Sequence, residues 1–229
     1  MQTVQDRELL NRLALQFGLE QIFSPGCTQE MELRRYGHGE TICSVGDQLE
    51  GLYFCVEGKL KIQTLLQNGK SVLVRFARPM SIIGDVELLH GYPVKNQVDS
   101  VGQSLLLVAG RRLLLREIEH NAQLLRFLVS ELSQKMYRLG QTSAINLLYP
   151  VENRFASYLM SLYEGGARGE DIRTSSLTET AELLGTSYRH LNRVVRQFID
   201  EGMIERNRGK LIILDEAKLA ELATGSLYE

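Results

Sequence analysis

The sequence predicts an α+β chain: an antiparallel β barrel or double-sheet jelly roll, then one long helix, then a winged helix-turn-helix. Three observations carry this. Residues 30–109 fall into short runs of alternating apolar and polar side chains, punctuated by single glycines. Residues 112–148 contain no proline and one glycine, Gly140. Residues 176–214 hold two helix starts, two glycine stops and a hairpin in quick succession. A length of 229 residues suits one or two domains, and 44% hydrophobic with 24% charged residues is ordinary for a chain with a core. This composition excludes a wholly disordered, collagenous or fibrous chain. No apolar run approaches the roughly 20 residues that span a bilayer. Asp6, Arg7, Glu8, Arg12 and Glu20 interrupt the first 20 residues, unlike a secretory signal. A cytoplasmic location is expected.

The first element predicted is an amphipathic helix over Thr3–Ile22, with Leu9, Leu10, Leu13 and Phe17 at helical spacing. Strands follow at Met31–Tyr36, Thr41–Cys43, Gly51–Val56, Lys59–Leu66, Val72–Ala77 and Leu105–Ala109. Asn68-Gly69 between two of them reads as a two-residue hairpin turn, since both positions tolerate positive φ. Many short strands at this spacing indicate a barrel or jelly roll.

A single helix is predicted from Arg112 to Leu148. Leu125, Leu128, Leu132, Met136 and Leu139 step by threes and fours, the seam of a two-helix coiled coil and so a homodimer interface. The alternative is a helix whose stripe packs on its own barrel. Pro150 breaks the chain, a further helix runs over Val151–Glu164, and Gly165–Gly169 is a flexible stretch. The domains expected are 1–110, 111–149 and 150–229.

The last of these carries the sharpest local pattern. Ser176-Leu177-Thr178-Glu179 is a capping box, and the short helix it opens ends at Leu183-Leu184-Gly185. Ser187 caps a longer helix that Gly202 stops. Leu191, Val194, Val195 and Phe198 form its apolar face; Tyr188, Arg189, Asn192, Arg193 and Arg196 lie mostly on the other. Met203–Glu205 and Leu211–Leu214 then alternate around Asn207-Arg208-Gly209-Lys210, a hairpin wing with two cations at its tip. Thr186–Lys210 holds six basic residues and three acids, a local +3 in a chain of formal charge −2. A basic patch on an acidic body suggests a confined contact with a polyanion. Cys27, Cys43 and Cys55 lack the spacing of a metal-ligand set and read as free thiols.

Taken in order, two sets of residues resemble one known family. Gly37-His38-Gly39-Glu40-Thr41-Ile42-Cys43-Ser44-Val45-Gly46-Asp47, Gly51–Gly58, Asn68-Gly69-Lys70 and Ile82-Ile83-Gly84-Asp85-Val86-Glu87-Leu88 look like a cyclic-nucleotide-binding-type jelly roll. The helix-turn-helix follows a long helix, as in the Crp/Fnr superfamily of bacterial transcription regulators. Leu184–Leu191 with Gln197-Phe198-Ile199 is most similar to the YeiL branch. The resemblance implies a cytoplasmic homodimer that binds a near-palindromic double-stranded DNA operator and works with RNA polymerase. The DNA-binding set it implies is Ser176, Ser187, Tyr188, Arg189, His190, Asn192, Arg193, Arg196, Arg208 and Lys210. Arg193 occupies the family's guanine-reading position, where a two-pronged contact discriminates by about 1–3 kcal/mol. Arg196, Arg208 and Lys210 are expected on phosphates, and His190 is left between capping, DNA contact and packing. Tyr188 and Arg189 depart from the best-known pattern, so the operator should differ too.

The resemblance also locates an effector pocket at Gly84, Asp85, Glu87, Lys95 and Asn96. Cyclic-nucleotide binders use Gly-Glu and Arg-Ser to hold ribose and cyclic phosphate. Here those pairs fall at Gly84-Asp85 and Lys95-Asn96, and Lys does not replace a bidentate Arg at a phosphate. The family's Thr-Ser pair on the dimer helix aligns with Leu139 and Gly140, which cannot make those hydrogen bonds; Thr142 and Ser143 lie one turn later. Cyclic AMP is therefore not the expected effector, and no metal, haem or iron–sulfur cofactor is expected. A competing class is a small-molecule sensor acting through protein contacts without DNA. The sequence holds no nucleophile–base pair, catalytic carboxylate motif or phosphate-cradling loop, so an enzyme is not expected.

Overall fold

The computed structural model describes residues 1–65, 71–163, 171–172, 177–207 and 210–223. The chain divides into two compact units, Met1–Ile62 with Phe76–Arg138, and Gln63–Arg75 with Leu139–Glu229. The hairpin turn at Asn68-Gly69 and the Gly165–Gly169 stretch lie outside the described residues.

The N-terminal segment is not the continuous helix its periodicity predicts. It opens with strand β1 (Gln2–Val4), then helices α1 (Arg7–Gln16) and α2 (Leu19–Ile22). Asp6 caps α1, its carboxylate accepting from Leu9 N at 2.9 Å. Gly18 at φ 65 separates the helices. The strand exists through a distant partner, with Val4 opposite Leu33.

A 3-10 turn (Cys27–Glu30) leads into β2 (Glu32–Tyr36), β3 (Thr41–Cys43), β4 (Gly51–Glu57), β5 (Leu60–Leu65), β6 (Ser71–Ala77) and β7 (Ile82–Ile83). Helix α3 (Asp85–His90), β8 (Asn96–Ser100) and β9 (Ser104–Gly110) follow. One sheet has the order β1-β2-β9-β4-β7, a second β3-β8-β5-β6. The central strands β4 and β9 are buried along nearly their whole length and run antiparallel, with Tyr53 opposite Val108. Gly51 allows this approach, because a Cβ there would strike the Ala109 carbonyl oxygen.

The long helix is also divided. Helix α4 (Arg111–His120) stops at Asn121, whose backbone is extended, and α5 (Ala122–Leu148) starts there. Asn121 Oδ1 accepts from Gln123 N and Leu124 N, both at 3.0 Å, so one side chain caps the new helix. Leu124 and Leu128 on α5 are fully buried. The exposed apolar row is instead Leu125, Val129, Met136 and Leu139, with Met136 76% exposed and Leu132 half-buried. Leu128, predicted for the exposed seam, is instead covered within its own unit, and Val129 beside it is exposed. No helix of the described residues is long and apolar enough to cross a membrane.

The second unit contains α6 (Val151–Leu162), β10 (Asp171–Ile172), α7 (Leu177–Leu183), α8 (Tyr188–Asp200), β11 (Ile204–Asn207), β12 (Lys210–Ile213) and α9 (Glu216–Leu222). The sheet order is β10-β12-β11. Phe155, Leu191, Val194, Val195, Phe198, Ile204, Leu211, Ile213 and Leu219 make its core. Asn153 Nδ2 donates to the Leu222 carbonyl at 2.8 Å, tying α9 to α6.

All three thiols are free and buried, and burial pushes those of Cys43 and Cys55 up to about 12. Cys27 belongs to a polar knot around Glu117, which is 5% exposed. Glu117 accepts from Ser24 N at 2.9 Å, Asn121 Nδ2 at 2.8 Å and Cys27 Sγ at 3.3 Å. Burial alone would raise this carboxyl, but the hydrogen bonds from Asn121 and Ser24 outweigh it and hold the carboxyl at about 2. A depressed folded-state pKa stabilises above the ordinary value of 4.5, and that stabilisation is lost as pH falls from there toward about 2. Glu117→Ala should destabilise the protein by about 1–3 kcal/mol at pH 7, from the donors it strands. Glu117→Gln should flatten the fall in stability between pH 5 and pH 2 seen in urea melts of the wild type, to the extent of about one carboxylate.

Candidate nucleic-acid interface

Helix α7 ends as its sequence requires. Gly185 takes φ +63, and Thr186 N returns to the Ala181 carbonyl at 2.8 Å, the six-to-one bond of a Schellman stop. Arg154 on α6 donates Nη1 to the Leu184 carbonyl, which the helix leaves unpaired. Two residues beyond Gly185, Ser187 caps α8, its hydroxyl accepting from His190 N at 3.2 Å. The two helices are thus joined by a short turn held by Arg154 on one side and by the Ser187 cap on the other.

Leu191, Val194, Val195 and Phe198 seal one face of α8, with the Phe198 ring 5.6 Å from that of Phe155. That contact fixes which face remains free. Arg189, Arg193 and Arg196 are exposed at spacings of four and three, and Tyr188 is 49% exposed at the first helical position. Asn192 is half-buried beside them. None of the three arginines has a carboxylate partner among the described residues. The row spans about 10 Å along the helix at 1.5 Å per residue, a length that fits within a major groove.

His190 does not join this row. Its Nε2 lies 4.0 Å from Glu152 Oε1 on α6 and its Nδ1 3.5 Å from Thr186 Oγ1, so the ring is turned toward its own unit. On the wing, Asn207 pairs with Lys210 across the β11–β12 register, and Lys210 is half-buried. Ser176 and Arg208 lie outside the described residues. Arg154 and Glu152 are the residues that sequence pattern does not single out. Both sit in an ordinary-looking helix, and only the fold shows that they meet the helix-turn-helix.

The predicted effector residues are arranged differently from expectation. Gly84 at φ +99 starts α3, and a Cβ there would come within 2.5 Å of Leu49 Cδ2, so glycine is required. Asp85 is 2% exposed, and its carboxylate is engaged within the chain. Its oxygens receive Lys135 Nζ of α5 at 2.6 and 2.7 Å, and the same ammonium donates to the Ile82 carbonyl at 2.9 Å. Lys95 is exposed, and Glu87 and Asn96 are half-buried. Lys135 escapes sequence reading because it lies off the predicted apolar stripe and its partner lies 50 residues away.

This geometry agrees with two family matches. Residues 33–121 match the cyclic nucleotide-binding domain and residues 153–222 the Crp-like helix-turn-helix domain. A sensor-type domain followed by that DNA-binding type defines a transcription regulator. The chain belongs to the Crp/Fnr family. It is 28% identical over 182 residues to the regulatory protein YeiL of Escherichia coli O157:H7, covering 80% of this chain and 81% of that one. It is 24% identical over 221 residues to the CRP-like cAMP-activated global transcriptional regulator of Mycobacterium tuberculosis, covering 94% and 99%. Among solved structures, a crp/fnr-family protein of Eubacterium rectale superposes with TM-score 0.75 at 17% identity over 86% of this chain and 91% of that one. A CRP/FNR-family regulator of Thermus thermophilus gives 0.69 at 20% identity over 85% and 99%. The resemblance to the YeiL branch holds.

Replacing the α8 cap tests the local account. Ser187→Ala should destabilise the protein by about 1 kcal/mol in thermal or urea melts, whereas Ser187→Asp, which keeps an acceptor at the cap, should melt close to wild type.

Proposed function

We propose that this regulator acts as a homodimer that reads a near-palindromic DNA operator, with α8 of each copy entering a major groove. The observation that carries this reading is the row Arg189, Arg193 and Arg196, exposed and unclaimed by any described carboxylate, opposite a face sealed by four apolar side chains. Three guanidinium groups held on one side of a helix form a cationic surface with no counter-charge among the described residues, and a phosphate backbone would supply it. Arg193 reads guanine with two parallel hydrogen bonds, Arg189 and Tyr188 address neighbouring bases, and Arg196 grips phosphate. The hydroxyl of Ser187 and the unpaired amides of the first turn of α8 face the same phosphate chain. Lys210 and Arg208 extend the contact from the wing.

The second copy is supported by the exposed row Leu125, Val129, Met136 and Leu139. Four large apolar side chains in a line along one helix need a cover, and an identical helix offers one of matching period. Cyclic AMP is not the effector in this reading, although one relative is named as cAMP-activated. The acid at the expected ribose position is already bound by Lys135, and Lys95 stands where a bidentate Arg is needed. Contact with RNA polymerase follows from the same reading.

Operator sites selected from random duplexes give the test. Arg193→Ala should lose about 1–3 kcal/mol of affinity and relax preference at one base pair of each half-site. Arg196→Ala should weaken all sequences alike and reduce the salt slope by about one for each phosphate it no longer neutralises. Ser187→Asp, stable as a fold, should bind DNA poorly because its charge meets the phosphates. Equal affinity and equal base preference for wild type and Arg193→Ala would remove the reading role of that residue. Val129→Glu and Met136→Glu should each shift the sedimentation mass from dimer to monomer; a wild type that sediments as a monomer at micromolar concentration would remove the dimer.

A further inference from the structure

We infer that Lys135 is a positioning residue: a cation built into α5 that locks that helix, by rotation and by height, onto the turn before α3, so that DNA binding is effective without a nucleotide effector. The inference rests on the dimer reading above and adds the element that sets the dimer seam. Asp85 is 2% exposed, and its carboxylate is gripped through both oxygens at 2.6 and 2.7 Å. The third contact, Nζ to the Ile82 carbonyl at 2.9 Å, ties the same ammonium to backbone on the other side of Gly84. Gly84 cannot be replaced without displacing Leu49, so the turn that presents these acceptors depends on glycine there.

The chemistry fits positioning better than simple stabilisation. The pair joins a buried carboxylate to a half-buried ammonium; such a pair repays its desolvation only in part, and an apolar pair of the same volume often stabilises a core as well or better. What three directed hydrogen bonds supply, and apolar packing does not, is a single angle and a single axial register. Leu124, Leu128 and Lys135 lie on one face of α5, with Lys135 seven residues, two turns, beyond Leu128. Val129 and Met136 lie one residue on from Leu128 and Lys135, about 100° around the axis. Fixing Lys135 therefore fixes the direction in which the exposed row faces. A ligand that bridged Asp85 and α5 would do the same, but here the bridge is part of the chain.

The test uses the full-length protein. In Lys135→Ala, amide exchange over residues 131–138 should accelerate roughly tenfold or more, and dimer dissociation and operator dissociation constants should each rise by a similar factor. Ethylammonium, which fits the space vacated by the lysine stem and restores the cation, should reverse all three. Sodium at equal ionic strength should not. Lys135→Met, which keeps the stem and loses the charge, should behave as Lys135→Ala without amine rescue. Wild type should bind its operator equally with and without cyclic AMP. If Lys135→Ala does not fold, Asp85→Asn, which preserves shape and removes the acceptor charge, should give the same losses. Wild-type values in Lys135→Met, no reversal by ethylammonium, or activation of wild type by cyclic AMP would overturn the inference. A wild type that binds no DNA would instead overturn the regulator reading, and amide exchange would then decide the role of Lys135 by itself.

Discussion

Helix α5 must satisfy two surfaces with one amphipathic period, and much of the structure follows from how it divides them. Leu124 and Leu128 face its own unit and are fully buried. Lys135 continues that inward face and ends on Asp85. The adjoining row, Leu125, Val129, Met136 and Leu139, is left outside. A helix with both faces apolar would collapse onto whatever it met first. A charge on the inner face, admitted only where a buried acid waits, makes one orientation cheaper than its neighbours. The glycine at position 84 contributes by holding that acid on a turn that no side chain could form.

Most of the architecture is legible in local pattern. The central strands, the winged helix-turn-helix and the glycine stops all follow from short-range chemistry, and the Ser187 cap is where the spacing puts it. The failures share a cause, which is partners distant in sequence. Thr3–Ile22 has helical periodicity, yet Gln2–Val4 pairs with β2 on the far side of both helices, and Gly18 divides what remains. Strand β8 is the polar run Asn96–Ser100, which no propensity scale favours; it forms because Thr41 and Cys43 lie opposite Asp99 and Val98. Asn121 breaks the long helix because its side chain offers a cap and also bonds Ile22 and Glu117, contacts invisible along the chain. Periodicity puts Leu128 rather than Val129 on the exposed stripe because the two stripes differ by one residue and only burial separates them.

The candidate DNA surface is easier to read than the sensor. Most of its residues belong to one helix, so the buried face predicts the free face directly. His190 is the exception, drawn to Glu152 and Thr186 by contacts across the unit. The effector residues, in contrast, are placed by likeness to a family whose pocket combines groups from several elements. The acid stands where that likeness puts it, but its counter-ion comes from a helix 50 residues later, where a lysine reads as an ordinary solvent-facing charge. Pairing of a buried carboxylate with a half-buried lysine is a tertiary fact, and single-sequence pattern has no period that reports it.

The division of labour on α8 has a consequence for how such a protein diverges. Tyr188, Arg189, Asn192 and Arg193 lie outside the apolar quartet that anchors the helix, and changes at exposed positions such as Tyr188, Arg189 and Arg193 typically shift stability by less than about 0.5 kcal/mol. If α8 reads DNA as proposed, selection can rewrite the recognised base sequence through these four codons while the scaffold stays intact. Duplicated copies of such a gene could then drift to new target promoters without first passing through an unfolded ancestor.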